Sequence, residues 1–218
     1  MDTEQETAQT RESPKTRKAS REIREWVKAF IIAVLIFTGL RLWVFDVNEV
    51  SGSSMEPSFS RGDKVIIEKL SYWLSDPENN DIVVFRKPGF SKRLIKRIIA
   101  KPGDVLSAKN GELYINGNRF FEPYVLPENR SSFPSIDIVM GEIYVNGEKV
   151  ESPSYTEKIV YANSEDADHA VPDGMYFVMG DNRDVSLDSR TWGFLSRELM
   201  IGRVLCAFTL WPPSFDMW

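Results

Sequence analysis

Apolar and polar positions along the 218 residues fall into three patterns. Up to residue 25 the chain is charged and polar with few apolar positions, the composition of a disordered tail. From Trp26 to Phe45, "WVKAFIIAVLIFTGLRLWVF", it is apolar on all sides, with 12 uncharged residues in a row from Ala29 to Leu40. About 20 such residues suffice for a helix across a bilayer core of roughly 30 Å. Trp26 and Trp43 lie about 26 Å apart at a helical rise of about 1.5 Å, near the two interfaces that Trp prefers. Lys28 and Arg41 stand close enough to the ends to reach water.

From residue 46 onward the pattern changes to short apolar runs. They are "KVIIEKL" (64–70), "DIVVFRK" (81–87), "RLIKRIIA" (93–100), "MYFVMG" (175–180) and "GRVLCAFTLW" (202–211). Pro88-Gly89, Pro102-Gly103, Asn110-Gly111, Asn116-Gly117, Asn146-Gly147 and Pro172-Asp173-Gly174 separate them, as turns separate strands. The expected fold is mainly β: one N-terminal transmembrane helix followed by a β-rich domain. "GELYINGNRF" (111–120) and "GEIYVNGEKV" (141–150) echo each other 30 residues apart, each a strand leading into an Asn-Gly hairpin turn. We read the echo as duplicated hairpin geometry. Residues 122–138 and 151–170 read as connections peripheral to the chemistry, within an insert-like region of about 105–170. The domains are thus a tail (1–25), an anchor helix (26–45) and a larger domain (46–218).

Charge fixes the orientation. Seven Lys and Arg precede the uncharged stretch that begins at Ala29, while residues 46–60 hold none. Cations stay on the cytoplasmic side, so the tail is cytoplasmic and the C-terminal domain is exported. The run ends in large and acidic residues, "WVFDVNEV", and not in the small-x-small site of a cleaved signal peptide. The net charge of −5 argues against binding nucleic acid through its phosphates. One His and one Cys exclude a multi-His metal site and an internal disulfide. The single His169 sits among acids in "EDADHAVPD", which makes it a surface residue and a poor partner for a serine.

A hydroxyl nucleophile would therefore need a lysine as base. "VSGSSMEPSF" (50–59) offers serines in a short turn, although a Ser/Gly cluster is by itself more often a linker. A lysine serves as base only when desolvation keeps it neutral. Strand alternation in "RLIKRIIA" flanks Lys96 with Leu94 and Ile98 on its own face. Lys64 has a similar apolar flank. "GDNRDVSLDSR" (180–190) reads as a turn held by ion pairs, since it lacks the Gly and terminal Glu of a Ca²⁺ loop.

Together, "GSSMEPS" (52–58), "RGDKVIIEK" (61–69), "KRIIAKPGD" (96–104) and "GDNRDVSLDSR" (180–190) resemble, in content and order, the motifs of type I signal peptidases in their single-span form. The resemblance implies a membrane-bound serine endopeptidase that removes signal peptides from exported preproteins. It makes Ser54 the nucleophile and Lys96 the general base, ahead of Lys64. Ser186 would hydrogen-bond the base, while Asp188 and Arg190 brace the site and Asp181, Asn182, Arg183 and Asp184 fold the same turn. Some relatives carry a Ser two residues before the nucleophile as an oxyanion donor. Here that residue is Gly52, which leaves the Ser54 N–H with Ser51 or Ser53 for the task. Val185 stands where Asn is frequent.

No cofactor or metal is implied. The partners are signal peptides, bound as an added β-strand with small side chains before the cut, and the lipid bilayer; the enzyme is expected to be a monomer in the bacterial inner membrane, facing outward. Tyr72, Trp73, Trp211 and Trp218 are candidates for the membrane interface. Two rival readings stay open: a self-cleaving Ser-Lys regulatory protease, and a non-enzymatic anchored binding domain.

Overall fold

In the computed structural model the short apolar runs become antiparallel strands. The structure describes residues 14–127, 134–151, 169–210 and 213–217. Trp211, Trp218, residues 1–13 of the tail and most of the 151–170 connection lie outside these. The chain divides into two units at Val44/Phe45.

The first unit is helix α1 (Pro14–Trp43). It begins inside the stretch read as a disordered tail. Proline is favoured in the first helical turn, and the Lys, Arg, Glu and Ala that follow are good helix formers. Its apolar side chains stand uncovered, among them Trp26 (78%), Phe30 (70%), Leu35 (66%) and Phe37 (69% exposed). Among the described residues no helix is long and apolar enough to cross a membrane, so the span read from the pattern is not established by the helix itself.

The second unit is two sheets. The larger holds β1 (Phe45–Glu49), β2 (Lys64–Glu68), β3 (Ile82–Phe85), β4 (Leu94–Ala100), β11 (Met175–Met179), β12 (Leu195–Ser196), β13 (Met200–Leu210) and β14 (Pro213–Met217). Their order is β1-β2-β13-β3-β4-β11-β12, with β14 also on β13. Both faces of β3 and β4 are buried, which is why these runs lack a polar alternate. Ile82, Val84 and Ile95 pack on one side with Met55, Phe59 and Val65. Val83, Phe85 and Ile98 pack on the other with Tyr176, Val178 and Trp192. Two short helices lie between strands, α2 (Ser71–Leu74) and α3 (Ser189–Trp192). In α2 Tyr72 is buried and Trp73 is exposed, so of that pair of aromatics only Trp73 is open to solvent.

The smaller sheet runs β10-β9-β8-β5-β6-β7, from β5 (Leu106–Lys109), β6 (Glu112–Ile115), β7 (Asn118–Arg119), β8 (Ile136–Val139), β9 (Glu142–Val145) and β10 (Glu148–Lys149). This order is symmetric about the β5–β8 pair, and the 30-residue echo is the reason. Asn116 takes the Val105 N–H on its side chain and donates its own N–H to the Val105 carbonyl, at 2.8 and 2.9 Å. Asn146 does the same with Ser135, at 3.0 Å each. The duplication is therefore of a whole clamped three-strand unit, more than the hairpin shape we expected. Its apolar face meets Ile99, Ala100, Phe177 and Met179 of the larger sheet.

Candidate active site

The segment carrying Ser54 is an eleven-residue loop tied off at its base. The Val50 N–H donates to the Asp63 carbonyl and the Gly62 N–H to the Val50 carbonyl, both at 2.8 Å. This is the work of "RGDK": Gly62 supplies the positive φ of 95° that the turn needs. Met55 and Phe59, 1% and 0% exposed, anchor the loop in the core, and the Phe59 N–H closes a helical turn on the Met55 carbonyl at 2.9 Å. Ser54, next to the Met55 anchor, is held half-buried where it lines a cleft.

Lys96 of β4 meets it there. Its Nζ donates to the Ser54 Oγ at 2.6 Å. The side chain is 3% exposed, and its cross-strand neighbour is Val83. Burial pushes the Lys96 ammonium down to about 8, against the pull of Asp188 and then Asp181, and with help from Arg190. A desolvated ammonium loses its proton more readily because the charged form is the one that burial disfavours. Lys64 has no such setting: it pairs with Glu49 at 3.0 Å and is 32% exposed. His169 is exposed, with Nδ1 2.9 Å from the Ile138 carbonyl.

The 180–190 turn braces both groups. Arg97 holds Asp181 through two bonds of 2.9 and 2.7 Å, and Ser58 donates to the same carboxylate at 2.6 Å. That ties the nucleophile loop to the turn. The Asn182 N–H donates to the Ser54 carbonyl at 3.1 Å. Asp188 accepts the Gly180 N–H at 3.0 Å and both prongs of Arg190 at 2.8 Å. Ser189, next in line, accepts the Val178 N–H at 2.9 Å.

Three expectations need correcting. The Ser186 Oγ is buried but has no hydrogen-bond partner among the described residues, so it does not bond the Lys96 amine in this arrangement. It lies instead against Gly180. Ser53 is not among the residues that line the cleft beside Ser54, and its carbonyl accepts the Glu56 N–H at 3.2 Å. The 122–138 connection is not wholly peripheral. Glu122 forms a buried ion pair with Arg183, and Tyr124 covers the Arg97 guanidinium at 3.8 Å.

Gly180 was missed by sequence reasoning as well. A Cβ there would stand 2.3 Å from the Ser54 carbonyl oxygen and 2.3 Å from Ser186 Oγ. The glycine opening the "GDN" motif is the signal that could have found it. Glu122 left no such mark, because its partner lies 61 residues away.

A cleft of about 160 Å³ leads to the dyad, lined on one wall by residues of 48–55 and on the other by residues of 92–96. The outer edge of β1 is unpaired among the described strands. The Leu94–Lys96 edge of β4 that faces away from β3 is open too, since β11 pairs only with Arg97, Ile98 and Ala100. Two free backbone edges beside one hydroxyl can take an extended peptide. The Ser54 N–H has no partner among the described residues and can donate to an oxyanion. No group of three or more His, Cys, Asp or Glu among the described residues could hold a metal.

Comparison with known proteins matches residues 23–211 to the family model described as signal peptidase, peptidase S26. A probable signal peptidase I-2 of Synechocystis sp. is 34% identical over 211 residues, 93% of this chain and 80% of that protein. The signal peptidase I of Bacillus amyloliquefaciens is 35% identical over 192 residues, 88% of this chain and 90% of that protein. A crystal structure of a signal peptidase I from Enterococcus faecalis is 29% identical, with a TM-score of 0.41 over 59% of this chain and 97% of that one.

Proposed function

The chain belongs to the signal peptidase family, peptidase S26, and from that premise we propose that Ser54 and Lys96 form a serine–lysine dyad that cuts signal peptides from exported preproteins. Of the three readings left open by the sequence, family membership selects the peptidase. The observation that carries the dyad is the 2.6 Å contact between the Lys96 amine and the Ser54 hydroxyl, in a site dry enough to bring the amine to about 8.

With that value about a tenth of Lys96 is neutral at pH 7. The neutral amine takes the Ser54 proton as Oγ attacks the scissile carbonyl carbon. The negative charge that develops on the carbonyl oxygen meets the Ser54 N–H. The C–N bond then breaks, and the Lys96 ammonium returns its proton to the departing amine. Water, activated by the same lysine, hydrolyses the ester. Gly52 offers no hydroxyl to the oxyanion; Ser51 lines the same cleft and is the side chain read as the second donor. A lost oxyanion donor costs about 2.7–4 kcal/mol in other hydrolases. Asp188, Arg190, Asp181, Asn182 and Arg183 hold the turn behind the dyad.

The substrate is read as an extended strand added between the free edges of β1 and β4, with small side chains at the first and third positions before the cut. The uncovered apolar side chains of α1, bracketed by Trp26 and Trp43, support a bilayer anchor. The cation bias ahead of it supports a cytoplasmic N-terminus, an outward-facing catalytic unit and the bacterial inner membrane as location. Incubating the full chain in detergent with a peptide that spans a small-x-small site, followed by mass spectrometry, tests this reading. A single cut directly after the second small residue is expected. Cutting that ignores side-chain size at those two positions would overturn it.

A further inference from the structure

We propose that Glu122 is a positioning residue of the reaction: through Arg183 it fixes the Gly180 carbonyl, and through Gly180 the placement of the Ser54 peptide. This rests on the reading of Ser54 and Lys96 as the reacting pair. Glu122 belongs to the link between β7 and β8, so it comes from the smaller sheet and not from the strands that carry the dyad. Its side chain is 3% exposed and that of Arg183 is 2% exposed. Burying both charges is unfavourable unless their geometry is fixed and their remaining donors are used.

Here they are used on the site. Arg183 donates from one nitrogen to Glu122 and from Nε to the Gly180 carbonyl at 3.1 Å. Arg190 in turn donates to the Arg183 carbonyl at 2.8 Å. Gly180 is therefore gripped at both ends, its N–H by Asp188 and its carbonyl by Arg183. The space at Gly180 leaves no slack. The position of a Cβ is already occupied by the Ser54 carbonyl oxygen and by Ser186 Oγ, so a shift of this peptide is passed directly to the nucleophile. Two residues after Glu122, Tyr124 lies on Arg97, which holds Asp181. One short segment of the smaller sheet thus bears on both arginines of the catalytic turn. The cleft walls are built from 48–55 and 92–96, away from this segment, so its loss should be felt in turnover more than in substrate binding.

The test uses the full chain in detergent and a peptide substrate, with kcat, KM and a melting curve for each variant. Glu122→Ala is expected to lower kcat 10- to 100-fold with KM within about twofold. Glu122→Gln keeps an acceptor for Arg183 and is expected to recover at least half of the lost activity. Because Glu122→Ala takes the carboxylate away from a buried guanidinium and can unfold the chain, Glu122→Leu with Arg183→Met carries the test independently. That pair removes both charges, is expected to melt cooperatively, and should lose kcat by the same factor. Wild-type kcat in the folded double variant, or a change seen only in melting temperature or KM, overturns the assignment. A Ser54→Ala control runs beside it: if that variant still cleaves, it is the dyad that fails, whereas an inactive Ser54→Ala beside a fully active double variant sinks Glu122 alone.

Discussion

Lys96 serves two opposed requirements at once. In the proposed dyad its burial brings the base down to about 8, and the same burial works against the fold. Cleavage needs the neutral amine, so kcat should fall as pH drops through about 8, which a pH–rate profile of the full chain would reveal as a single acid limb. For stability the sign is the reverse of a salt-bridged lysine. The folded value lies below the ordinary 10.5, so the unfolded chain binds more protons between the two, and stability rises with pH across that window. Below about 8 the lysine is charged in both states and its full desolvation cost is present. Lys96→Met should therefore be inactive yet more stable at pH 7 by roughly 1–3 kcal/mol, with the advantage shrinking as pH rises toward 10.5, as denaturant titrations at several pH values would show. Gly180→Ala should lower kcat at least tenfold and destabilise by about 1–3 kcal/mol, because a methyl group has no room between Ser54 and Ser186. Normal turnover in that variant would mean that the turn relaxes without moving the nucleophile. The lysine was legible as one of two: strand alternation gave both Lys96 and Lys64 apolar flanks, and the motif resemblance chose between them. Gly180 was not, since its value is a close approach between segments 126 residues apart, and no local pattern records that.

Turn chemistry carried the reading furthest among the elements. Each Asn-Gly pair read as a turn closes a hairpin with both residues at positive φ, Asn110 at 53° and Gly111 at 78° among them. The second copy of that turn has Met140 in place of Asn, at a φ of 51° and 61% exposed. A Met there carries the steric cost of a left-handed backbone, which Asn bears more readily. Met140→Asn should raise stability by about 0.5–1 kcal/mol, seen as a higher denaturant midpoint at constant slope and no change in activity. A lower midpoint would show that Met140 is used by the sheet. The symmetric strand order was hidden by the gap between the copies, where β8 pairs across to β5 and no turn residue marks the register. The Ser54 loop was legible only in part. Its serines were legible as a short turn, whereas Ser58 reaches Asp181 across 123 residues of chain.

At the scale of the whole molecule the two units answer to different surroundings. Apolar side chains of α1 from Ile23 to Phe37 stand uncovered, while the β unit gathers most of its apolar runs into three buried clusters. The charge split was readable at once, because Lys and Arg crowd ahead of the apolar run and are absent just after it. How the two sheets share the site was not readable. Glu122 and Tyr124 come from a stretch whose Pro and Ser content resembles any exposed connection, and only the fold brings them against Arg183 and Arg97. What all of this supports is a single chemical claim, that one hydroxyl and one amine do the cutting without histidine or metal. The most direct measurement is cleavage of a preprotein with small residues before its cut by the full chain, beside Ser54→Ala and Lys96→Ala purified in the same detergent. Both variants should fold, bind the substrate and release no signal peptide. Release at the wild-type rate by either one would contradict the account.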